Sequence, residues 1–127
     1  MKILLPWPPS ANNYVRHSVR RGKLFHYRTQ RAEKYREIVA ASWASLKARG
    51  EKPFNPDERI AVSMKAIPPD RIRRDLDNVF KVIGDSLTAA GVWQDDSQID
   101  YIEMVKDSPD PAKEGYVILS ITSIPEA

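Results

Sequence analysis

The chain has 127 residues, no cysteine and a net charge of +3, which suits one domain with its own core and excludes disulfides, zinc–thiolate sites and thiol catalysis. The charge is segregated: residues 1–49 carry 11 Lys/Arg against 2 Asp/Glu, and residues 85–127 carry 2 against 9. A basic half is an electrostatic footprint for nucleic acid, although the solvated faces of an ordinary domain can carry the same imbalance.

Lys2 to Trp7 reads as a first strand, ended by Pro6, Pro8 and Pro9. This apolar run is too short for a signal peptide or a membrane span, and no later run is long enough either, so a soluble protein of a reducing cytoplasm is expected. Ser10–Gly22 has little periodicity and reads as an exposed loop, with a short strand at Leu24–Tyr27. From Thr29, a fair N-cap, Ala32, Tyr35, Ile38/Val39, Ser42/Trp43 and Leu46 recur at helical intervals as far as Gly50. Ile60–Ile67 alternates as a strand and stops at Pro68-Pro69. A second helix is expected from Asp75 to Ala90, with Val79, Val82/Ile83, Ser86/Leu87 and Ala90 inward and Gly91 closing it. Ile99–Val105 and Tyr116–Ser123 read as a C-terminal hairpin with a polar, proline-containing turn. The predicted fold is α/β (α+β): a small mixed sheet with two main helices packed on it, in a single domain over residues 1–127.

The chemistry concentrates in Arg73-Arg74-Asp75-Leu76-Asp77-Asn78, with Lys81 one turn on and Asp95-Asp96 beyond a Gly91-Val92-Trp93 turn. Asp-x-Asp lets two carboxylates converge on one cation, and Asp95-Asp96 can bring a third ligand back to it. Oxygen-only ligands favour Mg²⁺ or Mn²⁺ over zinc. The plainer reading is that acidic residues at a helix start cap its N–H groups, that Asp77–Lys81 is a solvated i,i+4 pair, and that Asp95-Asp96 opens a strand. Asp85, on the Asp77–Lys81 face, either supports the site or faces solvent. The arginines before the cluster point to an anionic substrate, and the whole to metal-dependent chemistry on a phosphodiester.

Asn12, Asn13, Tyr14, Arg16, His17, Arg20, Arg21 and Lys23 mix amides, an aromatic and cations as a phosphate-tracking loop does, and as a solvated loop also can. With two histidines in the chain, neither reads as part of a zinc site; His26 suits a structural role. Trp7, Trp43 and Trp93 fit core positions better than base-stacking platforms. No Gly-rich phosphate loop or nucleophile elbow is present.

Taken together, Pro6-Trp7-Pro8-Pro9-Ser10-Ala11-Asn12-Asn13, Arg74-Asp75-Leu76-Asp77-Asn78, Lys81, Asp85, Leu87-Thr88, Ala90-Gly91 and Trp93-x-Asp95-Asp96-x-Gln98 resemble the RusA family of Holliday junction resolvases over nearly the whole chain. The resemblance implies a homodimeric, Mg²⁺-dependent endodeoxyribonuclease, with Mn²⁺ as a substitute and no small-molecule cofactor. Its substrate would be the four-way junction, cut by paired symmetric nicks that leave 5′-phosphate and 3′-hydroxyl ends. Asp75, Asp77 and Asp96 then correspond to the metal-binding carboxylates, Lys81 to a catalytic lysine, and Arg74 to a basic residue beside them. Asp95 and Asn78 occupy motif positions. A non-catalytic branched-nucleic-acid binding module, or a nuclease of the same chemistry acting on flaps, stands as the alternative.

Overall fold

The computed structural model describes residues 1–10, 15–20, 23–111 and 113–125, with 15–28 described by backbone alone. Lys2–Pro6 forms β1, and Val15–Arg20 and Lys23–Arg28 form β2 and β3. Gln30–Ala48 is α1, Ile60–Ile67 is β4 and Leu76–Ala90 is α2. A short 3₁₀ helix at Asp96–Gln98 leads into β5 (Ile99–Lys106), and Tyr116–Ser123 is β6.

The main sheet has the order β1-β6-β4-β5. β6 runs antiparallel to both β1 and β4, and β5 runs parallel to β4. The hairpin expected from the last two strands therefore does not form. β4 lies between them, because α2 carries the chain back across the sheet and starts β5 at the same end as β4. The other departure concerns Ser10–Gly22. Its second part, Val15–Arg20, pairs antiparallel with Lys23–Arg28 and is strand rather than loop. Arg20 is opposite Lys23, so Arg21 and Gly22 alone separate the strands, a hairpin spacing hidden by the weak polar alternation of β2.

One face of the sheet and one face of each helix make the core. Ile3 and Leu5, Val117, Leu119 and Ile121, and Ile60, Val62 and Met64 alternate inward from three adjacent strands. They meet Ala32, Tyr35, Val39 and Trp43 of α1 and Val79, Val82, Ile83 and Leu87 of α2. α1 rests on the β1 side and α2 on the β5 side. Lys2, Leu4, Ser63, Lys65, Tyr101, Glu103 and Val105 point the other way, to solvent.

Both helices are capped as their sequences require. The Thr29 hydroxyl accepts from the Ala32 N–H at 3.2 Å, and Asp75 accepts from the Asp77 N–H at 3.0 Å. Gly91 ends α2 at φ 89°, a left-handed position that suits glycine. Among the described residues, no helix is long and apolar enough to cross a membrane.

Candidate active site

A cleft of about 430 Å³ opens where the end of β1 meets the start of α2. Trp7, Pro8 and Pro9 form one wall; Arg73, Arg74, Asp75 and Asn78 form the other, and Arg31 of α1 reaches its rim. Two contacts hold the Pro-rich wall. The Tyr35 hydroxyl donates to the Pro6 carbonyl at 2.8 Å, and the Trp7 N–H donates to the Gly115 carbonyl at 3.2 Å.

Gly115 is buried because it has no side chain. A Cβ there would lie 2.6 Å from Cδ and 2.7 Å from N of Pro69. This close approach locks the Trp7 wall to the segment that follows β4. Nothing in the sequence marked it beyond a glycine ahead of a strand.

Arg74 does not project into open solvent. Its two terminal nitrogens donate to the two carboxylate oxygens of Asp70 at 2.6 and 3.1 Å, and one also donates to the Ile72 carbonyl at 3.1 Å. The guanidinium carbon lies 5.5 Å from the Trp7 ring centroid, within cation–π range. Arg74, followed by the Ile72 N–H, holds the Asp70 carboxyl below the usual carboxylate range. Trp7 is thus a half-buried platform at the cleft, not the core residue expected of it; Trp43 and Trp93 are core.

Asp75 caps α2, so the plain capping role is real for this residue. Its carboxylate nonetheless stays at the surface, and Asp77 is exposed in the first helical turn, at the positive end of the dipole. Asn78 lines the cleft and Lys81 is exposed one turn beyond Asp77. Arg73, exposed on the cleft wall, adds positive charge. Asp85 is ion-paired with Arg36 and ties α2 to α1.

Asp95 and Asp96 sit on a firm platform of their own. Trp93 is buried and donates from its indole N–H to the Thr88 hydroxyl at 2.6 Å. Asp95 accepts from the Ser97 N–H at 3.0 Å, while the Gln98 carbonyl oxygen accepts from the N–H groups of Gln94 and Asp95 at 3.0 and 3.1 Å. The Gln98 amide donates onward to the carbonyls of Asn55 and Glu58 at 2.8 and 3.0 Å. The Ser97 N–H, and then Asp96, hold the Asp95 carboxyl below its ordinary range.

This platform is not beside Asp75 and Asp77. α2 has 15 residues and spans about 22 Å; Asp75 precedes its first turn and Asp95 follows its last. β5 leads away from Asp96 in the direction of the other end, where Lys106 Nζ donates to the Arg74 carbonyl at 3.0 Å. Among the described residues of one chain, no three carboxylate or imidazole side chains are grouped as a metal site. The expectation that Asp95-Asp96 returns to the Asp75–Asp77 pair fails within one chain, because both residues precede β5 at the far end of α2, and only the end of β5 comes back to Arg74.

Arg16, His17 and Arg20 lie on β2 and Lys23 on β3, with His17 opposite His26. Asn12, Asn13 and Arg21 lie outside the described residues.

The family described as "Endodeoxyribonuclease RusA" matches residues 6–118. Among curated proteins, the crossover junction endodeoxyribonuclease RusA of Escherichia coli K12 is 39% identical over 106 residues, covering 82% of this chain and 80% of that protein. The proteins of the same name from phage HK97 and phage 82 are 37% and 40% identical over 105 and 108 residues. These matches cover 83% and 82% of this chain, and 81% and 80% of the phage proteins. With the cleft, the aspartates and the helix between them all inside the matched span, the chain belongs to the RusA family of endodeoxyribonucleases.

Proposed function

We propose that this protein is a Mg²⁺-dependent endodeoxyribonuclease that resolves four-way DNA junctions as a homodimer, in recombination and repair in the cytoplasm of a bacterial or phage-infected cell. The observation that carries this reading is the exposed Asp75–Asp77 pair at the start of α2, beside a cleft lined by Arg31, Arg73 and Asn78. The relatives' printed name, crossover junction endodeoxyribonuclease, supplies the substrate class.

The donor set suits a hard divalent cation, since every nearby acidic ligand is a carboxylate oxygen. Asp75 and Asp77 would hold it, with Asp96, and Asp95 beside it, contributed by a second copy, because one chain keeps them at opposite ends of α2. Bound there, Mg²⁺ would supply Lewis-acid activation at the scissile phosphate and neutralise the crowded carboxylates. The chain's own groups do the rest. Arg73 and Asn78 bind the phosphate backbone, and Arg74, held by Asp70 over the Trp7 ring, ties the two walls of the cleft together. Lys81 lends an ammonium to charge developing on the phosphoryl and leaving oxygens. Two such sites in a two-fold dimer match the symmetry of the junction and its paired nicks.

The test is cleavage of a labelled synthetic four-way junction by wild type and Asp77→Asn, with and without Mg²⁺, beside linear duplex and flap controls. Symmetric Mg²⁺-dependent nicking by wild type, lost by about a thousandfold or more in Asp77→Asn with binding retained, is the expected result. Chief cleavage of flaps would keep the chemistry and change the substrate. The capping roles of Asp75 and Asp95 favour a second reading, a non-catalytic binding module. Junction binding with no cleavage in Mg²⁺ or Mn²⁺ would establish that one.

A further inference from the structure

We infer that the groove on the α1 side of the Trp7-Pro8-Pro9 wall is a second DNA site, which takes the cleaved strand where it leaves the cleft. The inference rests on the DNA-cutting reading and deepens it by assigning a stretch of substrate that the cleft does not hold.

The wall has two sides. One faces the cleft; the other, with Arg31, Lys34, Tyr35 and Ile38 of α1, encloses a groove of about 270 Å³. Arg31 lines both hollows, so a cation stands where one passes into the other. Lys34, Tyr35 and Ile38 follow Arg31 at the third, fourth and seventh positions, which sets all four on one face of the helix. Tyr35 is buried and fixed by its bond to the Pro6 carbonyl, whereas Ile38 remains 38% exposed.

The chemistry of the lining selects its occupant. Pro8 and Pro9 have no N–H, and that of Trp7 is taken by the Gly115 carbonyl, so the main chain of the wall offers a phosphate no donor. The wall presents ring faces and methylenes instead, against which a sugar or a base packs. Donors come from Arg31 and Lys34, both exposed and, among the described residues, without a carboxylate partner. Among the described residues no acidic side chain lines the groove, whereas Asp75 lines the cleft. Cations beside apolar surface, with no carboxylate, suit a polyanion but not a divalent metal. The groove therefore grips the strand without cutting it.

Equilibrium binding of a labelled four-way junction, measured from about 50 to 200 mM salt, tests this. Lys34→Ala should weaken binding by about threefold or more at the low-salt end. It should also flatten the dependence of log K on log salt by about 0.7–0.9, one phosphate contact. Lys47→Ala removes the same charge about 20 Å along α1, where the ammonium lies over the Trp43 ring, and should change neither quantity. Ile38→Glu, which puts a carboxylate in the groove, should cost about tenfold or more in binding while circular dichroism stays native.

The chain lacks cysteine, so Lys34→Cys in the Asp77→Asn protein can carry a photoactivated cross-linker at one defined place. It should label the strand that wild type nicks, a few nucleotides from the nick, and Lys47→Cys should label none. If Lys34→Ala and Ile38→Glu bind as Lys47→Ala does, and Lys34→Cys gives no label, the second site is overturned and the nuclease stands. A wild type that neither binds nor cuts the junction would overturn both.

Discussion

Asp70 grips Arg74 through two parallel hydrogen bonds and holds its guanidinium over the Trp7 ring, so a charge at the cleft wall is fixed rather than free to swing. Bidentate pairing is the geometry in which an arginine position is best defined. Because Arg74 lowers the Asp70 pKa on folding, the clamp contributes stability above the unfolded carboxyl pKa, roughly 3.9, and loses it as pH falls through the lower folded value. Asp107, held by the Ser108 N–H and Lys65, has the same sign. Melting temperature should therefore be nearly level from about pH 5 to 8 and fall below about pH 4. Asp70→Asn should fall less steeply there and lose about tenfold in junction cleavage at neutral pH. Parallel acid limbs for the two proteins would remove the clamp from the account.

Asp75 has two roles that different substitutions separate. Asn caps a helix about as well as Asp, whereas Ala does not. Asp75→Asn should keep the wild-type melting temperature and lose cleavage. Asp75→Ala should lose cleavage and also about 0.5–2 kcal/mol of stability. If Asp75→Asn cleaved normally, the residue would be a cap alone.

Division of the aspartates between the two ends of α2 makes a mixing experiment decisive. Asp77→Asn and Asp96→Asn should each be inactive. In a mixed dimer with shared sites, both lesions fall in one site and the other is whole. Co-refolded proteins should regain single-strand nicking at up to about a quarter of the wild-type site number, since half the dimers are mixed and each has one good site. No recovery, with mixed dimers demonstrated, would mean that each site is built within one chain.

Gly115→Ala tests the joint behind the cleft. The new methyl would collide with the ring and backbone of Pro69, neither of which is a flexible side-chain end. Overpacking of this kind costs about 1–3 kcal/mol. Junction cleavage should also drop, because Trp7 and the 70–75 segment are both referred to this point. A variant that melts like wild type would show that the segment yields easily.

The sequence revealed most where one local signal sufficed. The alternation of Ile60–Ile67, the stripe of α2 with its Asp and Gly boundaries, and the Asp75/Asp77/Asp95/Asp96 series each declare themselves within a few residues. What it concealed depends on partners far along the chain. The strand order that separates β5 from β6, and the pairing of Gln98 with Asn55 and Glu58, rest on contacts across tens of residues. β2 escaped notice because Arg16, His17, Ser18 and Arg20 obscure any apolar alternation. The separation of the aspartates was legible in principle: a helix of fifteen residues cannot bring its two ends together.

β6 is β1's partner in the main sheet and one of the two neighbours of β4, and the Met1 carbonyl accepts from the Ile121 N–H at 2.8 Å. The consequence falls on synthesis. A nascent chain halted before Tyr116 has exposed its whole basic half, yet it lacks the strand that joins β1 to β4. Such a fragment can still pair β4 with β5 beneath α2, but nothing joins β1 and its Trp7 wall to them, so the cleft cannot close before Tyr116–Ser123 leaves the ribosome.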